Sequence, residues 1–262
     1  MKAKRKYNWK PDLPDHRDFL FTAPLTIQKK VPTSVDLRKA CSPVENQGAI
    51  GSCTANALAG NLEFLELSEL KNKDNAASEV FQPGRFENIS RLFIYYNERA
   101  LEGTTATDHG ASLRDGIKAL TQWGACRESL WDYSSKNVFK KPVSKAYQEA
   151  AKHKIDSYYR IESLSEMKQC VAQGYPFVFG FAVYESFESA EVAQSGIMPY
   201  PEKDEKLLGG HAVMAVGYND AKKRILVRNS WGAEWGLQGY FYMPYAVIEN
   251  SNLSSDFWTL RK

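Results

Sequence analysis

The sequence predicts an α+β fold in which a mainly helical half precedes a mainly β half. Apolar residues recur at helical spacing from residue 53 to about residue 174, and aromatic and β-branched runs separated by Gly, Asn and Asp follow. This order predicts two hydrophobic cores, with a groove between them as the expected substrate site. A composition of 43% hydrophobic and 13% aromatic residues excludes a disordered chain.

The chain divides into three regions. We expect residues 1–34 to be an N-terminal extension, 35–155 a mainly helical lobe, and 156–262 a mainly β lobe. The extension contains four prolines and no sustained hydrophobic period, so no regular element is expected there. Residues 1–30 carry eight basic and three acidic side chains, whereas the rest of the chain has a slightly acidic balance.

The helical half shows a periodic pattern with recognisable start signals. Ser52 is placed to cap the first helix, Pro142 suits a first helical turn, and Ser163 with Glu166 matches a capping box. The predicted helices are 53–70, about 90–100, 112–123, 142–153 and about 164–174.

The β half begins after Gly174 with a continuous apolar and aromatic run. Shorter runs with strand-like composition follow, each bounded by turn-forming residues. The predicted strands are 177–183, 212–218, 225–228, 240–243 and 257–260.

Charge and composition exclude several classes of protein. The basic residues are concentrated in the extension, so neither a nucleic-acid nor a membrane partner is expected. No apolar stretch reaches the length of a membrane span, and none follows the basic N-terminus, so no signal peptide is expected. The compartment stays open between the cytoplasm and export by a signal-less route. The four cysteines are too few for a disulfide scaffold and contain no zinc-type pair.

Three residues in the two halves combine into a catalytic pattern. Cys53 lies at the first turn of a predicted helix, where the unpaired backbone amides favour a thiolate. His211 opens a predicted strand after two glycines, which leave room for close approach by another chain. Asn229 ends a second strand and can orient the imidazole. Each residue alone is usually structural, but their combination points to a nucleophile, a base and an orienting amide.

These residues and their neighbours resemble the papain-like cysteine peptidases. The resemblance is carried by Gln47 in Pro-Val-Glu-Asn-Gln-Gly, by Gly-Ser-Cys at Cys53, by Gly-His-Ala at His211, and by Asn-Ser-Trp-Gly at Asn229. It covers about residues 35–260. It implies a two-lobed fold, with a helical N-terminal lobe, an antiparallel β-barrel-like C-terminal lobe and the active site in the groove between them.

The resemblance also implies a role for each matching residue. Cys53 would attack a peptide carbonyl, with His211 as base and then acid, and with Asn229 orienting the imidazole. The side chain of Gln47 and the backbone amide of Cys53 would stabilise the oxyanion, and Trp231 would cover the His–Asn hydrogen bond. The expected substrate-binding residues are Gly110, Ala111, Gly210 and Trp231. The chemistry needs no cofactor and no metal, and we expect a monomer that acts on peptide or protein substrates.

The sequence departs from the family pattern around the nucleophile. Ile50 stands where the family has a cysteine, so the disulfide usually formed there is absent, and Thr54 replaces an aromatic residue. Such forms are more similar to bacterial than to lysosomal members. A Cys41–Cys126 disulfide and three free thiols, with Cys170 as the third, remain open alternatives.

Three functions compete on these observations. The first is a cysteine endopeptidase, and the second is an acyl transferase or deamidase that uses the same thioester. The third, a non-catalytic binding module, is disfavoured because the four central residues are intact. We also hypothesise that the basic, aromatic-bearing extension lies in the groove and inhibits the enzyme, with a disordered arm as the alternative.

Overall fold

The computed structural model describes residues 5–29, 31–73 and 86–262. The α-helices are α1 (Leu25–Lys29), α2 (Cys53–Lys73), α3 (Arg91–Glu102), α4 (Leu113–Gln122), α5 (Ser144–Ala150), α6 (Leu164–Ala172), α7 (Ala190–Ser195) and α8 (Tyr245–Ile248). The strands are β1 (Ser34–Asp36), β2 (Ser157–Arg160), β3 (Phe177–Tyr184), β4 (Leu207–Asn219), β5 (Arg224–Arg228), β6 (Tyr240–Pro244) and β7 (Ser254–Arg261). The predicted α+β class is confirmed.

The strands form one antiparallel sheet with the order β2-β7-β3-β4-β5-β6, and β1 adds to β4. Alternate residues of a strand point to opposite faces. On β4, Ala212 and Met214 therefore join the core shared with the helices, while Val213 and Ala215 join the core on the other face. The two predicted cores are thus separated by the central strands of the sheet.

Helix α2 is the central element of the helical lobe. Every residue from Cys53 to Leu65 is buried, which explains why the helix has no polar face. Its N-terminal part packs on β4, so Cys53 lies at the boundary between the two lobes.

Some predicted boundaries differ from the observed ones. Helix α5, which corresponds to the predicted helix 142–153, begins at Ser144 after Val143, so Pro142 precedes the helix and is not in its first turn. Strand β4 begins at Leu207, four residues before His211, because the glycines before His211 already pair with β3. The Ser52 hydroxyl does not cap α2; it contacts Tyr133 Oη at 2.6 Å and accepts from Asn56 Nδ2 at 3.0 Å. The capping box of α6 is present as predicted.

The N-terminal region is more regular than its sequence suggests. Helix α1 begins directly after Pro24, a residue that suits a helix start, so the expectation of no regular element was wrong. The boundary after residue 34 falls within β1, which pairs with Gly217–Asn219 of the sheet. Elements of three to six residues such as these are too short to show a hydrophobic period.

No α-helix in the described ranges is both long enough and apolar enough to cross a membrane.

Candidate active site

Cys53 is the first residue of α2 and is completely buried. Its position at the helix N-terminus favours the thiolate, but burial dominates and raises the pKa of the thiol to about 11. The backbone of Ala212, the residue after His211, acts in the opposite direction and lowers this pKa. The thiol therefore lies close to the backbone of Ala212 on β4, the residue that follows His211.

His211 and Asn229 form a buried pair on β4 and after β5. His211 Nε2 lies 2.8 Å from Asn229 Oδ1, and the backbone amide of Ser230 donates to the same oxygen at 2.8 Å. Because an amide oxygen only accepts, Nε2 carries the proton and Nδ1 keeps its lone pair. Nδ1 is buried and has no hydrogen-bond partner in the part of the chain that the structure describes. Burial lowers the pKa of His211 to about 4, so the imidazole is neutral.

The indole of Trp231 lies over this pair. Its ring is stacked on the imidazole of His211, with the centroids 5.1 Å apart and the planes 24° from parallel. Trp231 in turn packs edge-on against Trp235 at 4.9 Å and against Phe187. The aromatic cluster excludes water from one side of the imidazole.

Gln47 joins the loop before α2 to the loop after β5. Its Oε1 accepts from Ser230 Oγ at 2.5 Å, and its backbone amide donates to Ser230 O at 2.9 Å. Its Nε2 donates to Ile50 O at 3.0 Å, which leaves the second amide proton for another acceptor. Tyr133 Oη donates to Gln47 O at 3.0 Å and so ties the same loop to the helical lobe.

Residues 5–10, which we call the N-terminal strand, cross the cleft between the lobes. Trp9 N donates to Gly210 O at 3.0 Å, and Gly210 N donates to Tyr7 O at 3.3 Å. On the opposite side of the cleft, Lys10 N donates to Ala111 O at 3.4 Å. The strand thus makes main-chain hydrogen bonds to both lobes, as an extended peptide does when it binds by strand addition.

Two glycines give the N-terminal strand the room that it occupies. A Cβ atom on Gly110, which has a φ of +72°, would lie 2.0 Å from Asn8 O. A Cβ atom on Gly210 would lie 2.6 Å from Trp9 O. The prediction that the glycines before His211 allow close approach by another chain is confirmed, and the approaching chain is the protein's own N-terminus.

The side chains of the N-terminal strand alternate between the two sides of the cleft. Tyr7 packs edge-on against His211 at 6.2 Å, and Trp9, only 9% exposed, lies against Gly180. We call this side, formed by β3, β4 and the loop after β5, the β wall. Lys6 and Lys10 face the carboxylates of Asp108 and Glu102 on the other side, the helical wall, which is formed by the N-terminus of α2 and residues 102–112.

Beyond the cleft, an acid–base cluster anchors the chain that follows the N-terminal strand. Asp12 accepts from Trp258 Nε1 at 2.9 Å, and its backbone amide donates to Asp256 Oδ2 at 2.8 Å. Asp18 lies 2.6 Å from Arg114 and 3.1 Å from Arg160. These contacts make the extension part of the folded protein.

Comparisons with known proteins agree with this geometry. The model of the papain family cysteine proteases matches residues 102–259. The chain belongs to the papain family. Xylellain, a cysteine protease from Xylella fastidiosa, is 39% identical, and its crystal structure superposes with a TM-score of 0.86 over 100% of this chain and 98% of that one.

Two further relatives extend the comparison. An uncharacterized peptidase C1-like protein of Acanthamoeba polyphaga mimivirus is 39% identical over 98% of this chain and 87% of its own length. Mouse pro-cathepsin H is 28% identical over 80% of this chain, and the match spans 59% of that protein. The protein is a papain-family cysteine peptidase with the two-lobed fold predicted from the sequence.

The structure brings the predicted site residues of this papain-family chain to one cleft. Gln47, Cys53, His211, Asn229 and Trp231 lie at its centre, and Gly110, Ala111 and Gly210 contact the N-terminal strand. All four cysteines are buried and free, so the alternative of a Cys41–Cys126 disulfide is wrong. The described residues contain no group of three or more side chains positioned to hold a metal ion.

Two acidic residues of the site were missed by the sequence analysis. Glu98 is fully buried and accepts from Thr54 Oγ1 at 2.6 Å, directly behind the nucleophile. Asp108 accepts from Gly51 N at 2.9 Å and contacts Lys6. The proximity of Asp108 to Gly110 in the sequence was the available signal, whereas nothing in the sequence links Glu98 to Thr54.

Proposed function

We propose that the protein is a cysteine endopeptidase in which Cys53 is the nucleophile and His211 is the acid–base group. The observation that carries this proposal is the buried hydrogen bond between His211 Nε2 and Asn229 Oδ1, which leaves the lone pair of His211 Nδ1 free to accept a proton. Ala212, the residue after His211, contacts the thiol of Cys53. The cleft also accommodates an extended chain with main-chain hydrogen bonds on both sides, as a peptide substrate requires.

The reaction proceeds through a thioester. Cys53 Sγ attacks the carbonyl carbon of the peptide, and its proton passes to His211 Nδ1. The oxyanion is stabilised by the free amide proton of Gln47 Nε2 and by the backbone amide of Cys53. The intermediate collapses when His211 donates its proton to the leaving amine, and water then hydrolyses the thioester with His211 as base. Asn229 keeps the imidazole in the required tautomer.

We further propose that the N-terminal strand holds the enzyme in a latent state. Tyr7 and Trp9 lie against the imidazole and the adjacent β wall, so a substrate cannot occupy the same place. The buried thiol and imidazole are both neutral because burial raises the pKa of Cys53 to about 11 and lowers the pKa of His211 to about 4. Release of the strand hydrates both groups, and the reactive thiolate–imidazolium pair becomes accessible.

A mixed peptide library tests both parts of the proposal. We compare the wild type, Trp9→Ala, and Trp9→Ala combined with Cys53→Ala. We expect cleavage by Trp9→Ala to exceed that by the wild type, and no cleavage once Cys53 is replaced. Unchanged cleavage after Cys53→Ala would exclude the thioester mechanism, and equal rates for the first two proteins would exclude latency.

The products distinguish hydrolysis from acyl transfer. In the presence of a primary amine, we expect carboxylate products from attack by water. Predominant capture by the amine would instead favour the acyl transferase, and release of ammonia from glutamine side chains would favour the deamidase.

A further inference from the structure

Asp108 is held rigidly at the edge of the cleft on the helical wall. Its Oδ1 accepts from Gly51 N at 2.9 Å and from Tyr95 Oη at 2.6 Å. Tyr95 Oη also accepts from Gly110 N at 3.2 Å. Burial, assisted by the hydrogen bond to Asp108, raises the pKa of Tyr95, so the phenol stays protonated and donates. Asp108 therefore links the loop of the nucleophile to the segment that contacts an extended chain.

The second oxygen of this carboxylate is directed into the cleft. Asp108 Oδ2 lies 2.6 Å from Lys6 Nζ, and across the described ranges this is the one ion pair that Asp108 makes. The side chain of Asp108 is only 11% exposed, whereas that of Lys6 is 43% exposed. An open groove continues past the ammonium group, and its lining includes Ala106, Thr107, His109 and Phe139.

Lys6, which lies beside Asp108 Oδ2, belongs to the N-terminal strand, and this strand binds in the cleft through main-chain hydrogen bonds as an extended peptide would. Tyr7 O and Trp9 N, the next main-chain groups that bond to Gly210, fix the register of the N-terminal strand in the cleft. Asn8 Nδ2 additionally donates to Asp108 O at 3.2 Å. Because alternate side chains of an extended chain point to the same side, a bound peptide presents one side chain at the position that Lys6 occupies.

We propose that Asp108 is a specificity-determining residue that selects a lysine or arginine side chain of the peptide substrate. This inference rests on the proposed function and extends it. When the N-terminal strand leaves, Asp108 Oδ2 loses its cation, while Oδ1 keeps its hydrogen bonds to Gly51 and Tyr95 and holds the carboxylate in place. A basic side chain restores the charge-assisted hydrogen bond, whereas an aliphatic one leaves the carboxylate unpaired. The open groove accommodates the longer arginine as well as lysine.

The test uses the full-length Lys6→Gln/Trp9→Ala variant. Both substitutions weaken the binding of the N-terminal strand, which otherwise competes with the peptide for the cleft. Two peptides are compared that differ only at the residue equivalent to Lys6, which is lysine in one peptide and norleucine in the other. We expect Asp108→Asn in this background to lower kcat/KM for the lysine peptide by about 10- to 100-fold, mainly through KM, because a hydrogen bond between charged groups is lost. For the norleucine peptide we expect a change of less than about 3-fold, because asparagine keeps the acceptor for Gly51 and Tyr95. The control, Glu162→Gln on the exposed loop before α6, removes the same charge and should change neither rate.

The outcomes separate this inference from the proposed function. Equal rates for the two peptides, or an equal loss for both after Asp108→Asn, would overturn it, because Asp108 would then act only through Gly51 and Tyr95. Binding of the same peptides to the Cys53→Ala form of the variant is measured by fluorescence anisotropy and does not depend on catalysis. Selective binding of the lysine peptide without any cleavage would refute the peptidase and leave the role of Asp108 standing, and equal affinities would refute that role.

Discussion

The two walls of the cleft contact the N-terminal strand by different physical means. The β wall is aromatic: Trp231 and Phe181 contact the imidazole of His211 with ring centroids 5.1 and 5.8 Å away. Phe187 and Trp235 pack behind them against Trp231. The helical wall is polar, and its contacts with the strand are ion pairs and hydrogen bonds through Glu102, Asp108 and Ala111. The strand places Lys6 and Lys10 on the helical wall and Tyr7 and Trp9 on the β wall. Arg5 also lies on the β wall, over the ring of Trp231 and paired with Glu188.

This difference separates two properties that one cleft must combine. Burial against the aromatic wall is non-directional and supplies much of the free energy of docking, but it discriminates weakly between apolar side chains. A fixed carboxylate discriminates strongly because a partner without the matching cation leaves it unpaired. We therefore expect changes on the β wall to affect docking and catalysis, and changes on the helical wall to affect selectivity.

The largest effect is expected from His211 on the β wall. His211→Ala removes the base and should lower kcat/KM by at least about 10⁴-fold, measured in the Trp9→Ala background to avoid latency. Asn229→Ala keeps the base and removes the hydrogen bonds that Asn229 Oδ1 accepts from His211 and from Ser230 N, and we expect a loss of about 10- to 100-fold. Equal losses for the two variants would contradict the assignment of Asn229 as a positioning residue.

A second prediction concerns the place where Trp9 packs. A Cβ atom on Gly180 would lie 1.9 Å from the indole, so Gly180→Val must expel Trp9. Loss of a buried aromatic contact costs about 3–5 kcal/mol, and we expect alkylation of Cys53 to become at least about 100-fold faster. Trp9→Ala should produce the same increase.

The double variant is the control for this interpretation. If Gly180→Val acts by expelling Trp9, the combined Gly180→Val/Trp9→Ala protein should react no faster than either single variant. Additive acceleration would show that Gly180→Val disturbs the thiol by another route.

A third prediction uses the pH dependence of docking. Burial, followed by the nearby charge of Asp12, raises the pKa of Asp256 from 3.8 to about 6. Its contribution to docking is therefore complete below pH 3.8 and is lost as the pH rises through 6. Burial lowers the pKa of His211 from 6.5 to about 4, so its contribution is complete above pH 6.5 and is lost as the pH falls through 4. Between pH 4 and 6 the two groups oppose each other, and Asp12, whose pKa is also raised by burial, acts in the same direction as Asp256.

Asp256→Asn removes one of these opposing effects. In the wild type we expect the N-terminal strand to be docked to a similar extent at pH 4.5 and pH 6.5. In Asp256→Asn we expect the released fraction to be about tenfold larger at pH 4.5 than at pH 6.5. We measure the rate of alkylation of Cys53 in each protein and divide it by the alkylation rate of Cys53 in the Trp9→Ala variant at the same pH. This ratio cancels the change in thiolate fraction with pH. A flat ratio for the variant would contradict the prediction.

The smallest effect is expected behind the nucleophile, where Glu98 of α3 contacts Thr54 of α2. Burial raises the pKa of Glu98 well above its usual value, so the carboxyl is neutral and an amide can replace it. Glu98→Gln should keep the hydrogen bond to Thr54 and change the free energy of unfolding by less than about 1 kcal/mol. Glu98→Leu leaves the Thr54 hydroxyl unpaired and should cost about 1–3 kcal/mol, measured by urea denaturation. Equal stabilities for the two variants would show that this hydrogen bond contributes nothing.

Local patterns predicted much of the fold and most of the site. The helical period predicted α2 and the position of Cys53 at its N-terminus, and the apolar run after Gly174 predicted β3. The short elements α1 and β1 were missed because their formation depends on contacts with distant residues, such as the pairing of β1 with β4. Glu98 was missed for the same reason, since its hydrogen bond to Thr54 joins two different helices.

The sequence by itself determined which residue types are available for the chemistry and the order in which they occur. It also determined the charge and the alternating side chains of the N-terminal strand, because both are local properties of residues 5–10. Only the tertiary structure decided where that strand lies, since the cleft exists only when the two lobes pack together. It is this packing that buries Cys53 and His211 together, changes the pKa of each, and places Lys6 on Asp108.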